Sequence, residues 1–200
     1  MEETEGRMTT RTSHRATPAA HATTTSPTSS FTPQRVALCA VFVALAFVAS
    51  FIEIPLFPAA AWLKYDPSGI VCAVAGLVFG PVTGVIVSLL PWVLRLFINP
   101  WGALMAALAT VALTLPAALM YQLHHTRKGA AAGLALGAVC CLGVVIVANL
   151  VITPLYSGMD IAQVAELIVP VLLPFNLIKL ALNAGITFAL YRTVERMVAR

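Results

Sequence analysis

Asn176, Lys179, Asn183 and Thr187 recur at spacings of three, four and four within an otherwise apolar stretch that begins at Pro170. At 100° per residue, side chains so spaced share one face of a helix. The face carries amides, which both donate and accept, and one ammonium, which only donates. Asn and Thr alone suffice for hydrogen bonding between helices in a membrane, and that is the reading for Asn183 and Thr187. Lys179 asks for more, because an ionisable residue inside a span is costly and needs a partner. It either contacts a ligand or forms a buried ion pair, for which Glu53 and Asp66 are the available carboxylates.

Further polar residues fall at the same level. Asn149 lies near the end of the preceding apolar run and Arg95 near the end of an earlier one, while Trp62, Lys64, Tyr65 and Asp66 cluster in the connection between the first two. Arg95 either extends to the interface or contacts ligand, and Trp62 alone reads as an interfacial anchor. Together, amides, a cation and aromatic rings around an apolar chamber suit a planar polar ligand of vitamin size. A different pattern marks the first apolar run, where Ala37, Ala40, Ala44 and Ala46 occupy the cytoplasmic half and Ala40 and Ala44 form a small-x-x-x-small pair. Such spacing admits close approach of a second helix, either from the same chain or from a partner.

Other chemistry is missing from the sequence. There is no G-x-x-x-x-G-K-[ST] phosphate loop, so ATP hydrolysis would belong to another subunit. Ser50 and Ser88 lack the context of an intramembrane protease, and no H-E-x-x-H or acidic cluster offers a catalytic metal. Cys39, Cys72, Cys140 and Cys141 lie in apolar runs and read as small buried hydrophobes. No cofactor or metal is expected.

The elements that position these residues follow from composition. Of 200 residues, 60 % are hydrophobic and 10 % charged, whereas soluble domains carry about 25 % charge. Between Val36 and Leu123 the charged residues are Glu53, Lys64, Asp66 and Arg95, too few for a nucleic-acid surface. The pattern predicts an all-α polytopic membrane protein with spans near 36–53, 68–80, 82–98, 101–123, 129–152 and 171–192. Gly80-Pro81 separates the second from the third and is either a reversal, giving six helices, or a kink, giving five. Six helices put Arg35, Arg127, Lys128, Arg192, Arg196 and Arg200 on the cytoplasmic side against Glu195 alone, and Glu53, Lys64, Asp66, Asp160 and Glu166 outside. That is the positive-inside distribution, with both termini cytoplasmic, and it accounts for the net charge of +4. Segments 54–67 and 153–169 are then long outer loops over a site that opens to the exterior. Residues 1–34, with ten Thr, four Ser and three Pro, read as a disordered cytoplasmic tail rather than a signal peptide, leaving 35–200 as the membrane domain.

The string Leu63-Lys64-Tyr65-Asp66-Pro67-Ser68, then Phe79-Gly80-Pro81 with Gly84-Val85, then Pro174-Phe175-Asn176-Leu177-Ile178-Lys179, resembles the riboflavin-specific substrate-binding (S) components of energy-coupling factor (ECF) transporters over about residues 35–196. The resemblance implies six membrane helices, riboflavin captured from outside, a transmembrane coupling subunit and two cytoplasmic ATPases. It implies flavin contacts at Asn176, Lys179 and Asn149, an outer loop that closes over ligand, and a coupling contact through Ala40 and Ala44. Gly69 stands where relatives often carry an acidic residue, so a loop contact made by that residue is not expected here. An S component for another vitamin keeps the architecture and changes the ligand. An intramembrane enzyme or a structural membrane protein is the alternative of another class.

Overall fold

The computed structural model describes residues 33–56 and 63–198. Trp62, Arg200 and all of the expected tail except Pro33 and Gln34 lie outside the described residues. Those two form the first turn of helix α1 (Pro33–Ala49), with proline at the helix start, where its missing N–H costs nothing. After α1 come a two-residue antiparallel pairing of β1 (Ile54–Pro55) with β2 (Lys64–Tyr65), then α2 (Ser68–Phe79), α3 (Pro81–Arg95), α4 (Pro100–Leu123) and α5 (Arg127–Ser157). The last run is α6 (Ile161–Leu167), a π-helical turn (Ile168–Leu172) and α7 (Leu173–Val198). The all-α expectation holds, with β1 and β2 as a clasp in the α1–α2 connection.

Apolar side chains face outward all round, among them Val48, Val82, Val139, Val147, Val151 and Val169, while Ser50, Ser68, Ser88, Thr114, Asn183 and Thr187 are buried. This inversion fits lipid as the solvent. Helices α4 (24 residues), α5 (31 residues) and the continuous run Ile161–Val198 (38 residues) are long and apolar enough to cross a membrane. At 1.5 Å per residue, α2 with 12 residues and α3 with 15 reach only about 18 and 22 Å, less than the roughly 30 Å of a hydrocarbon core.

Gly80-Pro81 is a reversal rather than a kink. Gly80 has φ +93°, a conformation that favours glycine, and Pro81 starts α3. The chain then folds back so closely that a Cβ on Gly84 would lie 2.6 Å from the Cα of Gly76. Helices α4 and α5 approach as closely: a Cβ on Gly137 would meet the Leu113 carbonyl oxygen at 2.3 Å and one on Gly133 the Ala117 oxygen at 2.7 Å. Small residues here let backbones touch, which is how helices pack where lipid provides no hydrophobic drive.

The expected loop over 153–169 is largely helical. Helix α5 runs through Pro154 to Ser157, Gly158 adopts φ +74°, and Asp160 opens α6 with a reciprocal capping box to Gln163. Pro154 forgoes the hydrogen bond to the Leu150 carbonyl, and α5 continues only three residues beyond it. Pro170 and Pro174 cannot donate to their preceding turns, and the helix relaxes into a π-turn closed by the Leu173 N–H donating to the Ile168 carbonyl.

Candidate functional site

The π-turn fixes where α7 begins. Asn176 and Lys179 occupy the first two turns of that helix, and the Asn176 side chain donates back to the Leu172 carbonyl at 2.7 Å. Opposite, on α5, Asn149 donates to the Val145 carbonyl at 2.8 Å and accepts from the Thr153 hydroxyl at 3.1 Å. Each amide is thus oriented by its own helix, with hydrogen-bonding capacity left over. Both line a chamber of about 420 Å³ at the end of the bundle that carries the α1–α2 connection. The volume lies within the roughly 300–1,000 Å³ of small-molecule sites.

Two sets of ion pairs close the chamber. Lys179 donates to Asp66 Oδ2 at 3.1 Å, and Asp66 Oδ1 accepts from the Ser68 backbone N–H at 3.2 Å and from the Ser68 hydroxyl. The Asp66 carboxylate therefore starts α2 and fastens it to α7. The two side chains are only 17 % and 11 % exposed, so breaking the pair leaves a buried charge, at a cost of about 3–5 kcal/mol. The second set is wetter. Glu53 accepts from Lys64 at 2.7 Å and from Arg95 at 2.7 Å, and Lys64 is half exposed. A pair of that kind is worth about 0–1 kcal/mol. Lys64 and Arg95 hold the Glu53 carboxyl below its ordinary range, Lys64 contributing most.

Arg95 turns toward the end of α1. It is 9 % exposed, donates to the Ser50 carbonyl as well as to Glu53, and sits 4.8 Å from the Phe51 ring centroid, riveting α3 to the end of α1. It still lines the chamber, as do Lys64 and Asp66. Tyr65 does not. It is buried and donates to Asn183 Oδ1 at 3.2 Å, which ties β2 to α7. A Cβ on Gly69 would lie 2.6 Å from Asn183 Nδ2, so glycine leaves the room that Asn183 occupies. Asn183 is structural, as its place in the stripe suggests. Of the residues singled out from sequence, the structure gathers Asn149, Asn176, Lys179, Lys64, Asp66 and Arg95 into one chamber. Ala37, Ala40 and Ala44 are exposed, because α1 turns Cys39, Phe42, Val43 and Ala46 toward its neighbours. An internal seam at those alanines is ruled out within this chain's described residues.

Several wall residues carry no such signal in the sequence. Glu53 reads there only as a charge, although it is the carboxylate that joins Lys64 to Arg95. Trp92, Trp101, Tyr156 and Phe175 supply aromatic wall, with Trp101 and Tyr156 stacked at 6.3 Å between centroids and 22° between planes. Asn99 caps α4 by accepting from the Gly102 N–H at 3.0 Å, and the Asn99-Pro100 turn signal is the clue to it. Deeper along α4 and α5, Met105, Ala106, Ala109 and Val145 make the lining apolar.

A buried chamber with oriented amides, a charged rim and no phosphate loop is a receptor for a small molecule. Residues 34–191 match the family model for the substrate-specific component of ECF transporters. The chain belongs to that family. It is 30 % identical over 166 residues to the riboflavin transporter RibU of Staphylococcus aureus (strain TCH60), covering 78 % of this chain and 88 % of that protein. It is 28 % identical over 148 residues to the riboflavin transporter FmnP of Bacillus subtilis (strain 168), covering 68 % and 78 % respectively. A solved structure of the S component of a bacterial ECF transporter shares 27 % identity and a TM-score of 0.72, covering 84 % of this chain and 98 % of that one. This S component is a membrane-embedded transporter subunit rather than an enzyme, which removes the intramembrane-enzyme and structural-protein alternatives.

Proposed function

We propose that this S component captures riboflavin from outside the cell and delivers it across the membrane with a transmembrane coupling subunit and two ATPases. The observation that carries the reading is the convergence of Asn149, Asn176 and Lys179 on one chamber whose deeper wall is apolar. The pyrimidine edge of a flavin alternates carbonyl acceptors with an N–H donor, which an amide can match from both sides, and Lys179 can donate to a carbonyl or ribityl oxygen. Met105, Ala106, Ala109 and Val145 suit the apolar dimethylbenzene end. Two relatives being riboflavin transporters adds support.

In this reading the β1–β2 clasp with its flanking Glu53 and Asp66 covers the chamber, Asp66–Lys179 being its tight fastening and Glu53–Lys64 its loose one. Tyr65 braces the clasp from below and does not touch ligand. Trp62 belongs to the same connection. The exposed face with Ala37, Ala40 and Ala44 receives the coupling subunit, since small side chains let a partner helix come close. Six crossings with both termini cytoplasmic satisfy the charge distribution, α2 and α3 crossing in the shelter of longer neighbours. Residues 1–34 then form a cytoplasmic tail, and its last two residues, Pro33 and Gln34, belong to the first helix.

Calorimetric titration of the detergent-purified full chain against riboflavin, flavin mononucleotide, thiamin and biotin tests the ligand. Riboflavin should bind at least about 100-fold more tightly than thiamin or biotin, because a site built to pair its polar edge rejects molecules that leave those groups unpaired. Comparable or tighter binding of thiamin or biotin would keep the architecture and overturn the vitamin.

A further inference from the structure

A second cavity of about 470 Å³ runs between α5 and α7, away from the chamber, and its lining is apolar throughout. Ala135, Ala138 and Leu142 form one wall and Ala181, Ala184 and Gly185 the other. It stays open because the side chains are small: a Cβ on Gly185 would meet nothing within 4 Å. The two helices are among those long enough to cross the membrane, so the groove opens sideways into lipid.

Its dimensions say what fits. From Ala131 to Leu142 the groove runs about 16 Å at 1.5 Å per residue, long enough for an acyl chain to lie along it. One end of the groove then decides which lipid. Ala131 and Phe188 line that end, and one turn beyond them on the same helix faces stand Arg127 and Lys128 on α5 and Arg192 on α7. Among the described residues none of these three is in an ion pair. Glu195, the carboxylate of α7, accepts from the Tyr121 hydroxyl on α4 at 3.2 Å. The first turn of α5 adds the positive end of its helix dipole.

We infer that the α5–α7 groove is a binding site for an anionic phospholipid of the leaflet at the Arg127 end, its acyl chain in the groove and its phosphate among Arg127, Lys128 and Arg192. Basic residues between membrane helices recognise headgroup phosphates in this way, and each cation near a phosphate contributes about five-fold in affinity. The site is independent of the identity of the transported ligand.

The test uses the full chain in mild detergent, exposed to equal phosphatidylglycerol and phosphatidylcholine and read by native mass spectrometry. Wild type should retain phosphatidylglycerol in preference. Arg127→Gln, Lys128→Gln and Arg192→Gln should each lower that retention about five-fold and together abolish the preference. Gly185→Leu, which enters open space and improves helix propensity, should displace both lipids. All variants should keep ligand binding, since the chamber lies toward the opposite ends of both helices. Equal retention of the two lipids by wild type, or unchanged phosphatidylglycerol retention in the triple variant, overturns the inference. So does a Gly185→Leu protein that keeps its lipid but no longer assembles with a coupling subunit, which would make the groove a helix-docking face.

Discussion

The same two helices, α5 and α7, build two cavities of similar size and opposite character. The chamber of about 420 Å³ receives Asn149 from α5 and Asn176 with Lys179 from α7, whereas the groove of about 470 Å³ receives alanine and leucine from both and Gly185 from α7. Volume therefore does not distinguish a transport site from a lateral gap. What distinguishes them is the cost of the groups that line each one. Alanine in lipid costs nothing, and an unpaired Lys179 or Asp66 in the bundle would cost several kcal/mol. Pairing with each other meets the charge cost of Lys179 and Asp66, while the amides of Asn149 and Asn176 keep hydrogen-bonding capacity that a ligand in the chamber can use.

The largest expected effect separates the two jobs of Lys179. Lys179→Met leaves Asp66 buried without its cation, so it should lower thermal stability and weaken riboflavin binding together by about 100-fold or more. Asp66→Asn combined with Lys179→Met removes both charges and should recover most of the stability, because replacing a buried pair by neutral groups is often tolerated. If Lys179 contacts ligand, the double variant stays a poor binder in calorimetry. A double variant with wild-type affinity would reduce Lys179 to a fastening of the clasp. Gly185→Leu in the apolar groove is the matched control, with riboflavin affinity expected within about two-fold of wild type.

The difference between the cavities also explains how much the sequence reveals. The stripe from Asn176 to Thr187 is legible because a polar face on an apolar helix has no camouflage, and Gly80-Pro81 is legible as a boundary because glycine and proline have few other uses there. Sorting charge to the two sides gives the expected orientation its whole basis, a handful of Lys and Arg against a few carboxylates. Glu53 is not readable as a bridge, since its partners Lys64 and Arg95 come together only when α1 and α3 pack. The Trp101–Tyr156 stack joins residues on different helices, and nothing in either local sequence announces it. The helical course of 153–169 is hidden by Pro154 and Pro170, which read as breakers although one falls in a last turn and the other is absorbed by a π-turn. The apolar groove is invisible, because alanine looks the same packed or bare.

A smaller effect tests whether the amides act by pairing or by filling space. Asn176→Ala removes the bond to the Leu172 carbonyl and the capacity that faces the chamber. Leaving a buried flavin group unpaired costs about 1–3 kcal/mol, so affinity should fall roughly 5- to 150-fold with stability little changed. Asn176→Leu, close in volume, should be no better. Recovery of affinity by leucine would mean that the chamber recognises shape, as the groove does, and that the polar contrast between the two cavities has been overread.

The smallest effect concerns the wetter of the two sets of ion pairs. The Glu53 carboxyl is held below its ordinary range, first by Lys64 and then by Arg95. A carboxyl depressed in the folded state contributes its full stabilisation above the ordinary glutamate value of about 4.3 and loses it as pH falls through the lower folded value. Riboflavin affinity should therefore be flat in Glu53's contribution from about pH 5 to 8 and weaken only in stronger acid, by a few-fold, as befits a pair exposed to water. Because other carboxylates also titrate there, the informative quantity is the difference between wild type and Glu53→Gln measured by flavin titration at each pH. Glu53→Gln should start a few-fold weaker at neutral pH and converge on wild type only as pH falls through the lowered folded-state value of the Glu53 carboxyl. A constant gap down to the acid limit would mean that Glu53 acts through its shape, and the charge contrast between the two sets of ion pairs would then rest on Asp66 and Lys179 alone.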